Sequence, residues 1–464
     1  MSELAPQALS EFQQLLDKRC LTDADSAEQY GRDWTKFWTP APGAILMPET
    51  IEEVQAIVRI ANEQGVALVP SGGRTGLSGG AVAPNGEAVV AFDRMNRILD
   101  FNAYNRAVRI EPGVVTQQLQ EYADEQGLFY PVDFASTGSS QMGGNINTNA
   151  GGIQVIRYGM TRDWVTGLKV VTGNGELLDL NHGLIKNATG YDFRHLFIGS
   201  EGTLGFVVEA TIKLARQPKD PAVLVLGCPG FDEVMQVLHA FQQEIDLSAF
   251  EFFSDKAMHH VLEHDVPRPF DTETPFYCLL EFEQPAENVA EQAMAVFEQC
   301  VEQGWVEDGV MSQSVGQAEQ LWQLRERISE SISPYTPYKN DISVNVADVP
   351  AFVAEIDAVV QKEYPDFEIV WFGHIGDGNV HLNILKPEAL SREDFFEKCS
   401  HVSKWVFEIV QKYNGSISAE HGVGMLKKPY LDYSRDAAEI EYMKSVKRVF
   451  DRNGIMNPGK LIDA

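Results

Sequence analysis

The chain has 464 residues, which is too long for one compact core and predicts two or three domains. Its composition, 44% hydrophobic and 22% charged, is ordinary for a globular protein and argues against long disordered stretches. The formal net charge of −30 repels nucleic acid and anionic membrane surfaces, so we expect neither as a partner. The same field repels anionic substrates, and any site for an acid must therefore carry its own cations.

The N-terminal residues and the cysteines indicate a cytoplasmic protein without membrane insertion. The first residues lack a basic stretch followed by an apolar run, so we expect no signal peptide. No uncharged apolar run approaches the ~20 residues that span a bilayer. The five cysteines are scattered and without metal-type spacing, and they are interpreted as ordinary reduced thiols.

Short helices alternate with β-branched strands from residue 48 to about residue 218. A helix that ends at Gly65 is predicted by an apolar stripe at helical spacing, formed by Val54, Ile57, Val58 and Ala61. Strands are predicted at Val66–Val69, Ala88–Asp93 and Val108–Glu111. Asn174-Gly175, a strong type I′ turn signal, predicts a hairpin that joins 168–172 to 176–180.

The segment Gln217-Pro-Lys-Asp-Pro221 is the best candidate for a domain boundary, because longer amphipathic helices follow it. Helices are predicted near 231–243, 286–304, 317–331, 350–363 and 392–412. Strands are predicted near 249–253, 276–283, 342–346, 368–372 and 380–385. This alternation predicts an antiparallel sheet with helices on one face.

Glycine-rich segments before the boundary predict a large polar cofactor. The loop from Pro70 to Gly80 lacks the Gly-Lys-Ser/Thr of a Walker A motif and the spacing of a Rossmann fingerprint. Its uncovered N–H groups can still bind pyrophosphate oxygens, although an isolated loop of this kind is more often structural. The segment 130–152 adds further glycines among small hydroxyl and amide side chains, and a third small-residue stretch at 199–205 leads into a strand.

These motifs together resemble the FAD domain of vanillyl-alcohol oxidase type flavoproteins. The resemblance rests on Pro-Ser-Gly-Gly-Arg-Thr-Gly at 70–76, Ser-Thr-Gly…Gly-Gly-Asn…Asn-Ala-Gly-Gly at 136–152, Tyr158-Gly159, Gly-Ser-Glu-Gly-Thr-Leu-Gly at 199–205 and the C-terminal Asn-Pro-Gly-Lys. It covers nearly the whole chain from about residue 40 to 464. The implied fold is α+β. It has a two-subdomain FAD-binding domain with an N-terminal helical lead-in (1–217) and a substrate or cap domain with an antiparallel sheet covered by helices (218–420). A C-terminal segment (421–464) returns to the FAD domain.

The same resemblance implies FAD as the cofactor. Arg74 stands where members with covalent flavin often place a histidine, so we expect noncovalent binding. The residues implied to line FAD are Pro70, Ser71, Gly72, Gly73, Arg74, Thr75, Gly76, Leu77, Ser136, Thr137, Gly138, Gly143, Gly144, Asn145, Asn149, Ala150, Gly151, Gly202, Gly205, Val207 and Asn457.

A histidine-rich pattern is the clearest chemical signal after the boundary. It comprises His374-Ile-Gly-Asp-Gly-Asn-Val-His381 and, about forty residues on, Ser-Ala-Glu420-His421-Gly. Histidines seven apart on an unbroken strand would point to opposite faces, but the intervening Gly-Asp-Gly-Asn can fold the strand back. Two imidazoles and a carboxylate suit Zn²⁺, or Mn²⁺ or Fe²⁺, whereas single histidines are more often core residues.

The histidine pattern resembles the metal-dependent D-2-hydroxy-acid dehydrogenase branch of the family. That resemblance implies His374, His381 and Glu420 in the cap domain as metal ligands, and His421 as the base. Oxidation of the alcohol would move the C2 hydrogen to flavin N5 as a hydride. The metal would lower the pKa of the alcohol, and His421 would take its proton.

Cations for an acidic substrate stand at 322–329 and 338–344. Arginine can grip a carboxylate through two parallel hydrogen bonds, and lysine adds a point charge. Arg325 and Ser329, four apart, would share a helix face. Surface pairing with Glu326 or Glu330 is the alternative for both arginines, and we adopt it for Arg327. The resemblance implies that the substrate is bound by Arg325, Ser329, Lys339, Asn383 and His421.

The resemblance implies a small dicarboxylate 2-hydroxy acid as the substrate, D-2-hydroxyglutarate, which would be oxidised to 2-oxoglutarate. Two cations beside a metal fit its two carboxylates. The spacing from Arg325 to Lys339 and the serine at 329 depart from the animal members, which leaves the exact substrate open. D-malate is an alternative. D-lactate dehydrogenase and the flavin subunit of glycolate oxidase share these motifs and are further alternatives.

Two other functional classes are an oxygen-using flavin oxidase and a non-catalytic flavin-binding subunit. The intact His374, His381, Glu420 and His421 argue against the second. A dehydrogenase needs an electron acceptor, and no NAD fingerprint is visible. The resemblance therefore implies a carrier such as electron-transfer flavoprotein, or docking to the respiratory chain, and it leaves a homodimer open.

Overall fold

A computed structural model of the chain describes residues 4–35 and 37–463. The helices are α1 (Pro6–Leu16), α2 (Ala24–Tyr30), α3 (Ile51–Gln64), α4 (Thr116–Glu125), α5 (Met142–Thr148), α6 (Val155–Tyr158), α7 (Thr161–Trp164), α8 (Arg194–Phe197), α9 (Phe231–Glu244), α10 (Asp255–Leu262), α11 (Val289–Glu302), α12 (Val315–Glu326), α13 (Ile328–Ser331), α14 (Val349–Glu363), α15 (Arg392–Lys412) and α16 (Ala437–Phe450). Short 3₁₀ turns lie at Asp17–Arg19, Ser333–Tyr335, Val346–Asp348, Ile375–Asp377 and Lys428–Tyr433.

The strands are β1 (Cys20–Leu21), β2 (Ala44–Leu46), β3 (Leu68–Ser71), β4 (Ala88–Ala91), β5 (Ile98–Asn102), β6 (Ala107–Ile110), β7 (Leu128–Phe129), β8 (Val165–Thr172), β9 (Leu177–Leu180), β10 (Gly205–Lys213), β11 (Ala215–Arg216), β12 (Ala222–Cys228), β13 (Leu247–Ser254), β14 (Phe276–Phe282), β15 (Asp308–Met311), β16 (Tyr338–Ser343), β17 (Glu368–His374) and β18 (Asn379–Leu385). The chain folds into two compact units. Unit 1 comprises the described residues of Met1–Gly152, Gly159–Gln217 and Glu420–Ala464, and unit 2 comprises Ile153–Tyr158 and Pro218–Ala419.

Unit 1 is built on two main sheets. In the first, with strand order β1-β2-β4-β3, β4 pairs in parallel with both β2 and β3. The second is antiparallel, with order β5-β6-β10-β8-β9, and it contains the hairpin predicted at Asn174-Gly175, where Val171 pairs with Leu177. Helix α3 ends as predicted at Gly65, whose φ of 66° is easily adopted only by glycine. Its apolar stripe lies in the core beside β2, β3 and β4.

Unit 2 is built on one antiparallel sheet with order β15-β12-β14-β13-β17-β18-β16. The α+β fold class with an antiparallel cap-domain sheet is confirmed, but the prediction of helices on one face only was wrong. On one face, Phe253 and Phe372 belong to a core that includes Met258 of α10 and Trp322 of α12. On the other face, Phe252 packs edge-on against Phe231 of α9, with ring centroids 5.0 Å apart. Both faces of the sheet are therefore covered.

The C-terminal helix α16 is fixed within unit 1 by a buried lysine. Lys447 Nζ donates to the carbonyl oxygens of Thr203 and Met456, each at 2.8 Å, and to Asp451 Oδ2 at 2.7 Å. The Asp451 carboxylate in turn accepts the N–H groups of Ile455 and Met456. Both charged side chains are almost fully buried, at 3% and 0% exposure. The pair thus ties the C-terminal segment to the turn before β10.

No helix within the described ranges combines the length and the apolar character needed to cross a membrane.

We predict that Lys447→Met lowers the free energy of unfolding by about 3–5 kcal/mol, because it leaves the Asp451 carboxylate buried without its cation. The measurement is urea unfolding of the purified protein. Lys444→Met is the matched control, since Lys444 pairs with Glu441 on the exposed side of the same helix. It should cost less than about 1 kcal/mol. Equal losses of unfolding free energy in the two variants would show that the buried ion pair stabilises the protein no more than the exposed one.

Candidate active site

Three small-residue segments that were predicted to bind the cofactor meet within unit 1. A Cβ at Gly73 would overlap the backbone oxygen of Ser139 and lie 3.0 Å from the nitrogen of Gln141. A Cβ at Gly202 would lie 2.5 Å from Pro70 Cγ. The loop after β3 is therefore in close backbone contact with the segment 136–152, and the Pro70 ring at the end of β3 packs against Gly202 of 199–205. Glycine is needed at these points because no side chain fits between the segments.

The C-terminal segment joins this group. Asn457 Nδ2 donates to the backbone oxygens of Gly80, at 2.9 Å, and Glu201, at 2.7 Å. The Glu201 carboxylate accepts the N–H groups of Val423 and Gly424, each at 2.7 Å. Burial raises the pKa of Glu201, which is only 7% exposed. Glu201 thus fixes the backbone just after His421. The sequence interpretation missed this role, although an acid between two glycines is an unusual pattern that could have indicated it.

Three buried polar atoms near the meeting point have no hydrogen-bond partner among the described residues: Ser71 Oγ, Gln141 Oε1 and Asn457 Oδ1. Gln141 Oε1 lies 3.6 Å from where a Cβ of Gly72 would stand, so it faces the glycine loop. Buried polar groups in folded proteins almost always have a partner. The three unpartnered atoms therefore fit a site for a polar ligand such as FAD. Gln141 is a second residue that the sequence interpretation missed.

Other residues predicted to line FAD have partners inside the protein. The Arg74 guanidinium pairs with Asp93, at 3.0 Å, and lies over the ring of Tyr30. Asn145 Nδ2 donates to Thr116 Oγ1 at 2.7 Å. Val207 is buried in β10.

The remaining predicted FAD residues lie in turns and element ends. Thr75, Gly76 and Leu77 continue the glycine loop, Ser136, Thr137 and Gly138 form a turn, and Gly143 and Gly144 open α5. Asn149 caps α5 and Ala150 and Gly151 follow it, while Gly205 begins β10. These residues can offer backbone groups to a cofactor.

The strand carrying His374 folds back on itself as predicted. The 3₁₀ turn Ile375–Asp377 and Gly378, with φ of 83°, connect β17 to β18. The imidazoles of His374 and His381 converge, with ring centroids 5.3 Å apart. Glu420 follows the last residue of unit 2, and its carboxylate completes a group whose ligand atoms all lie within 4.8 Å of one another. This group has the donor set of a divalent-metal site.

Each imidazole has a buried acid near its Nδ1 atom, and for His374 the acid is at hydrogen-bond distance. His374 Nδ1 lies 2.7 Å from Glu251 Oε1, and His381 Nδ1 lies 3.8 Å from Asp341 Oδ1. Asn379 Nδ2 donates to the same Asp341 oxygen at 3.0 Å. A carboxylate at Nδ1 of His374 favours metal binding through Nε2 of that ring. Sequence reasoning missed Glu251 and Asp341, although an acid within the apolar run Ala249–Phe253 is an unusual pattern.

Arg325 is buried beside the histidines and is not a surface charge. It is 7% exposed, its Nε lies 2.8 Å from Glu251 Oε2, and its guanidinium carbon lies 4.7 Å from the ring centre of Phe372. Arg327 is the surface residue of the two, with Nε 3.7 Å from Glu330. The helix is interrupted at Arg327, so Ser329 follows in α13 and is exposed. The expected shared face of Arg325 and Ser329 is therefore not part of one continuous helix.

Lys339 and Asn383 face each other across the edge of the sheet. Strand β16 begins at Tyr338, four residues before its predicted start, and pairs Lys339 with Asn383 and Asp341 with His381. The register places Lys339, Asn383 and His381 on one face. Asn383 is 1% exposed, and its Nδ2 donates to the His381 oxygen. Lys339 reaches water, yet crowding by the surrounding protein lowers its pKa.

Chemically, unit 2 offers two converging imidazoles with a buried arginine and a cationic lysine on neighbouring strands and helices. Such a set can bind an oxygen-rich anion and polarise one of its oxygens. Unit 1 offers a glycine-lined cradle with unpartnered polar atoms. Together these features fit an enzyme with a nucleotide cofactor and an acidic substrate.

Comparisons with known proteins place these features in a family. Residues 42–181 match the family model described as FAD binding domain, and residues 217–461 match FAD linked oxidases, C-terminal domain. A Stutzerimonas stutzeri protein named D-2-hydroxyglutarate dehydrogenase is 68% identical, over 99% of each chain. A protein of the same name from Xanthomonas citri pv. viticola is 56% identical, over 99% of this chain and 97% of its own length.

A solved structure of p-cresol methylhydroxylase with substrate bound has the same fold, with a TM-score of 0.76 and 16% identity over 98% of this chain and 96% of its own. The FAD-domain prediction of vanillyl-alcohol oxidase type is thereby confirmed. The chain belongs to the FAD-linked oxidase family of flavin-dependent oxidoreductases, in the branch that contains the D-2-hydroxyglutarate dehydrogenases.

Proposed function

We propose that the chain oxidises D-2-hydroxyglutarate to 2-oxoglutarate, with FAD and a divalent metal such as Zn²⁺ as cofactors. The observation that carries the proposal is the convergence of His374, His381 and Glu420, with ligand atoms within 4.8 Å, in a chain whose unit 2 also holds Arg325 and Lys339. The names of the relatives, at 68% and 56% identity, support the same substrate.

The metal would be held by the two imidazoles and the Glu420 carboxylate. The ligand atoms of these residues lie within 4.8 Å of one another, and they would have to move closer together to bind one ion. When bound, FAD supplies the acceptor for the C2 hydrogen, at N5, and the metal supplies the Lewis acidity that favours loss of the alcohol proton.

The chain's own residues would bind and orient the acid. Arg325 lies beside the histidines, so it would address the carboxylate next to the reacting carbon, through its terminal guanidinium nitrogens. Lys339 lies in β16, opposite Asn383 of β18, and would address the distal carboxylate with help from that amide. Ser329 would add a hydroxyl at the exposed start of α13. His421 would accept the alcohol proton on an imidazole nitrogen as general base.

FAD would be held noncovalently by the cradle of unit 1, because Arg74 replaces a linking histidine and is itself paired with Asp93. Reduced FAD must be reoxidised, and a carrier such as electron-transfer flavoprotein is the proposed acceptor. We also propose a cytoplasmic location and leave a homodimer as a prediction. D-malate, a shorter dicarboxylate, is proposed as a secondary substrate.

Gly143 and Gly144 provide a paired test of the FAD cradle. A Cβ at Gly144 would meet nothing within 4 Å, whereas one at Gly143 would lie 2.7 Å from Pro112 Cβ. We predict that Gly144→Ala leaves the stability of the FAD-free protein unchanged or higher, since alanine favours the helix by ~0.5–1 kcal/mol. It should nevertheless lower FAD affinity by filling the space of the cofactor. Gly143→Ala should instead destabilise the fold itself.

The measurements for this pair are the flavin-to-protein ratio and thermal unfolding with and without added FAD. Normal FAD affinity in Gly144→Ala would remove this glycine from the cradle. Release of intact FAD on denaturation would agree with noncovalent binding, and flavin that stays on the chain would contradict it.

Substrate choice can be tested by following flavin absorbance anaerobically with D-2-hydroxyglutarate, D-malate, D-lactate and their L forms. We predict fast bleaching by D-2-hydroxyglutarate, slower bleaching by D-malate, and dependence of both on the bound metal. Lys339→Met should raise KM for D-2-hydroxyglutarate ~10–100-fold, the range expected for one lost charge-assisted hydrogen bond, and affect D-lactate little. Bleaching by D-lactate alone would overturn the substrate, and bleaching by no acid would overturn the reaction. Fast reoxidation in air would favour an oxidase.

Lys339 also predicts a pH dependence of substrate binding. Burial lowers its pKa from the ordinary 10.5, so the ammonium loses its proton, and with it the attraction for a carboxylate, at a lower pH than a free lysine. We predict that KM for D-2-hydroxyglutarate rises as the pH increases through this lowered pKa. Lys339→Arg keeps its charge and should flatten the rise. Steady-state kinetics from neutral to alkaline pH would measure it, and identical profiles for both proteins would exclude Lys339 as the group.

A further inference from the structure

Glu251 is an acid at the centre of an apolar strand. It lies in β13, every residue of which is buried, and its own side chain is 1% exposed. A carboxylate at such depth is strongly unfavourable unless it is paired and hydrogen-bonded. We therefore expect positively charged or hydrogen-bond-donating groups to contact this carboxylate.

The two oxygens of Glu251 address two different residues of unit 2. Oε1 lies 2.7 Å from His374 Nδ1, and Oε2 lies 2.8 Å from Arg325 Nε. Arg325 is also placed over the Phe372 ring, which in turn lies 5.0 Å from the His381 ring. One carboxylate thus joins a residue that the proposed function assigns to the metal with one that it assigns to the substrate.

The contact with His374 determines how that ring can act. A carboxylate at Nδ1 favours the tautomer with hydrogen on Nδ1, which leaves the Nε2 lone pair for a metal. It also fixes the ring plane and makes the ligand more basic. A carboxylate behind a histidine ligand commonly changes metal affinity ~10–100-fold.

The contact with Arg325 determines where the guanidinium points. Nε forms a close ion pair with Glu251 Oε2, at 2.8 Å but without the alignment of a hydrogen bond, and the face of the group is packed on Phe372, so the ion pair and the ring together restrict the direction of the two terminal nitrogens. A fork that is already oriented loses less side-chain freedom when it binds a carboxylate. The negative charge of Glu251 also offsets part of the cost of burying the cation.

We propose that Glu251 is a positioning residue that orients His374 for the metal and Arg325 for the substrate carboxylate at the same time, and so couples metal binding to substrate recognition. The inference rests on the proposed function. It concerns a residue that touches neither metal nor substrate directly.

The test compares zinc affinity, measured by titrating metal-free, FAD-loaded protein against a chelating indicator, with KM and kcat at saturating zinc. Glu251→Ala removes both contacts, so zinc affinity should fall ~10–100-fold and KM should rise. Glu251→Gln replaces one carboxylate oxygen with an amide NH₂, so it can keep an acceptor for only one of its two partners. If the oxygen faces His374, KM should rise more than zinc affinity falls, and if it faces Arg325, zinc affinity should fall more than KM rises. Arg325→Met should raise KM while zinc binds at least as tightly as in the unaltered protein.

Glu368→Gln is the matched control, because Glu368 pairs with His260 at 2.9 Å at the opposite end of strand β17. It should change neither zinc affinity nor KM. Thermal unfolding and flavin content of each variant report on folding separately. His381→Ala gives the reference for a lost ligand.

Unchanged zinc affinity in Glu251→Ala would overturn the inference, and so would equal weakening of zinc binding by Glu251→Ala and Arg325→Met, which would indicate a general disturbance of unit 2. Equal zinc affinity of the unaltered protein and His381→Ala would instead contradict the proposed metal site. The two failures are therefore distinguishable.

Discussion

The tight return from β17 to β18 is the constraint on which the chemistry of unit 2 depends. Gly378 has φ of 83°, and a Cβ there would overlap the Val344 oxygen, so only glycine allows the turn to close against the segment that directly follows β16. The return pairs Phe372 with His381 and so brings the second imidazole back beside the first. The cation-binding residues use the same frame, because β16 pairs with β18 and presents Lys339 opposite Asn383.

Electrostatics explains how a chain with a net charge of −30 can hold cations for an acidic ligand. Of the two cations proposed to bind the acid, Arg325 is buried against a single buried acid, Glu251, whereas Lys339 is exposed on the edge strand β16. A buried cation is stable only beside an acid that offsets the free-energy cost of its desolvation, so the acid determines where the cation lies. Long-range repulsion of an anion is screened within about 8–10 Å at ordinary salt, so local cations decide the outcome at the site.

The sequence carried the features that follow from local chemistry. Glycine loops, the two histidines with a foldable linker and the family motifs predicted the fold class and the convergence of His374 with His381. Contacts between distant strands were beyond such reasoning: nothing local to Glu251 or Gln141 says which residue each will face. The break at Arg327 was also missed, because apolar spacing continues across it.

The helices on the second face could have been predicted. Strands β12 and β13 are buried at every position, and their sequences lack the alternation of a sheet with one wet face. A continuous apolar run requires cover on both sides, and the amphipathic helices counted in the sequence were enough to provide it. Instead, residues 249–253 were interpreted only as a strand, and no strand was predicted at 222–228.

The return of the C-terminal segment to unit 1 has a consequence for synthesis. Strand β3 donates Leu68 N–H to the oxygen of Ile455, and the Leu68 oxygen accepts the N–H of Asn457. These partners leave the ribosome nearly four hundred residues after the strand they complete. Unit 2 is contained in the intervening chain and can gain its sheet first, whereas the cradle of unit 1 is complete only after residues 455–457 have been made. Nascent chains therefore expose the unpaired edge of β3 until residues 455–457 have been made. During that interval the edge can pair with other strands, and chaperones that cover it would protect the chain.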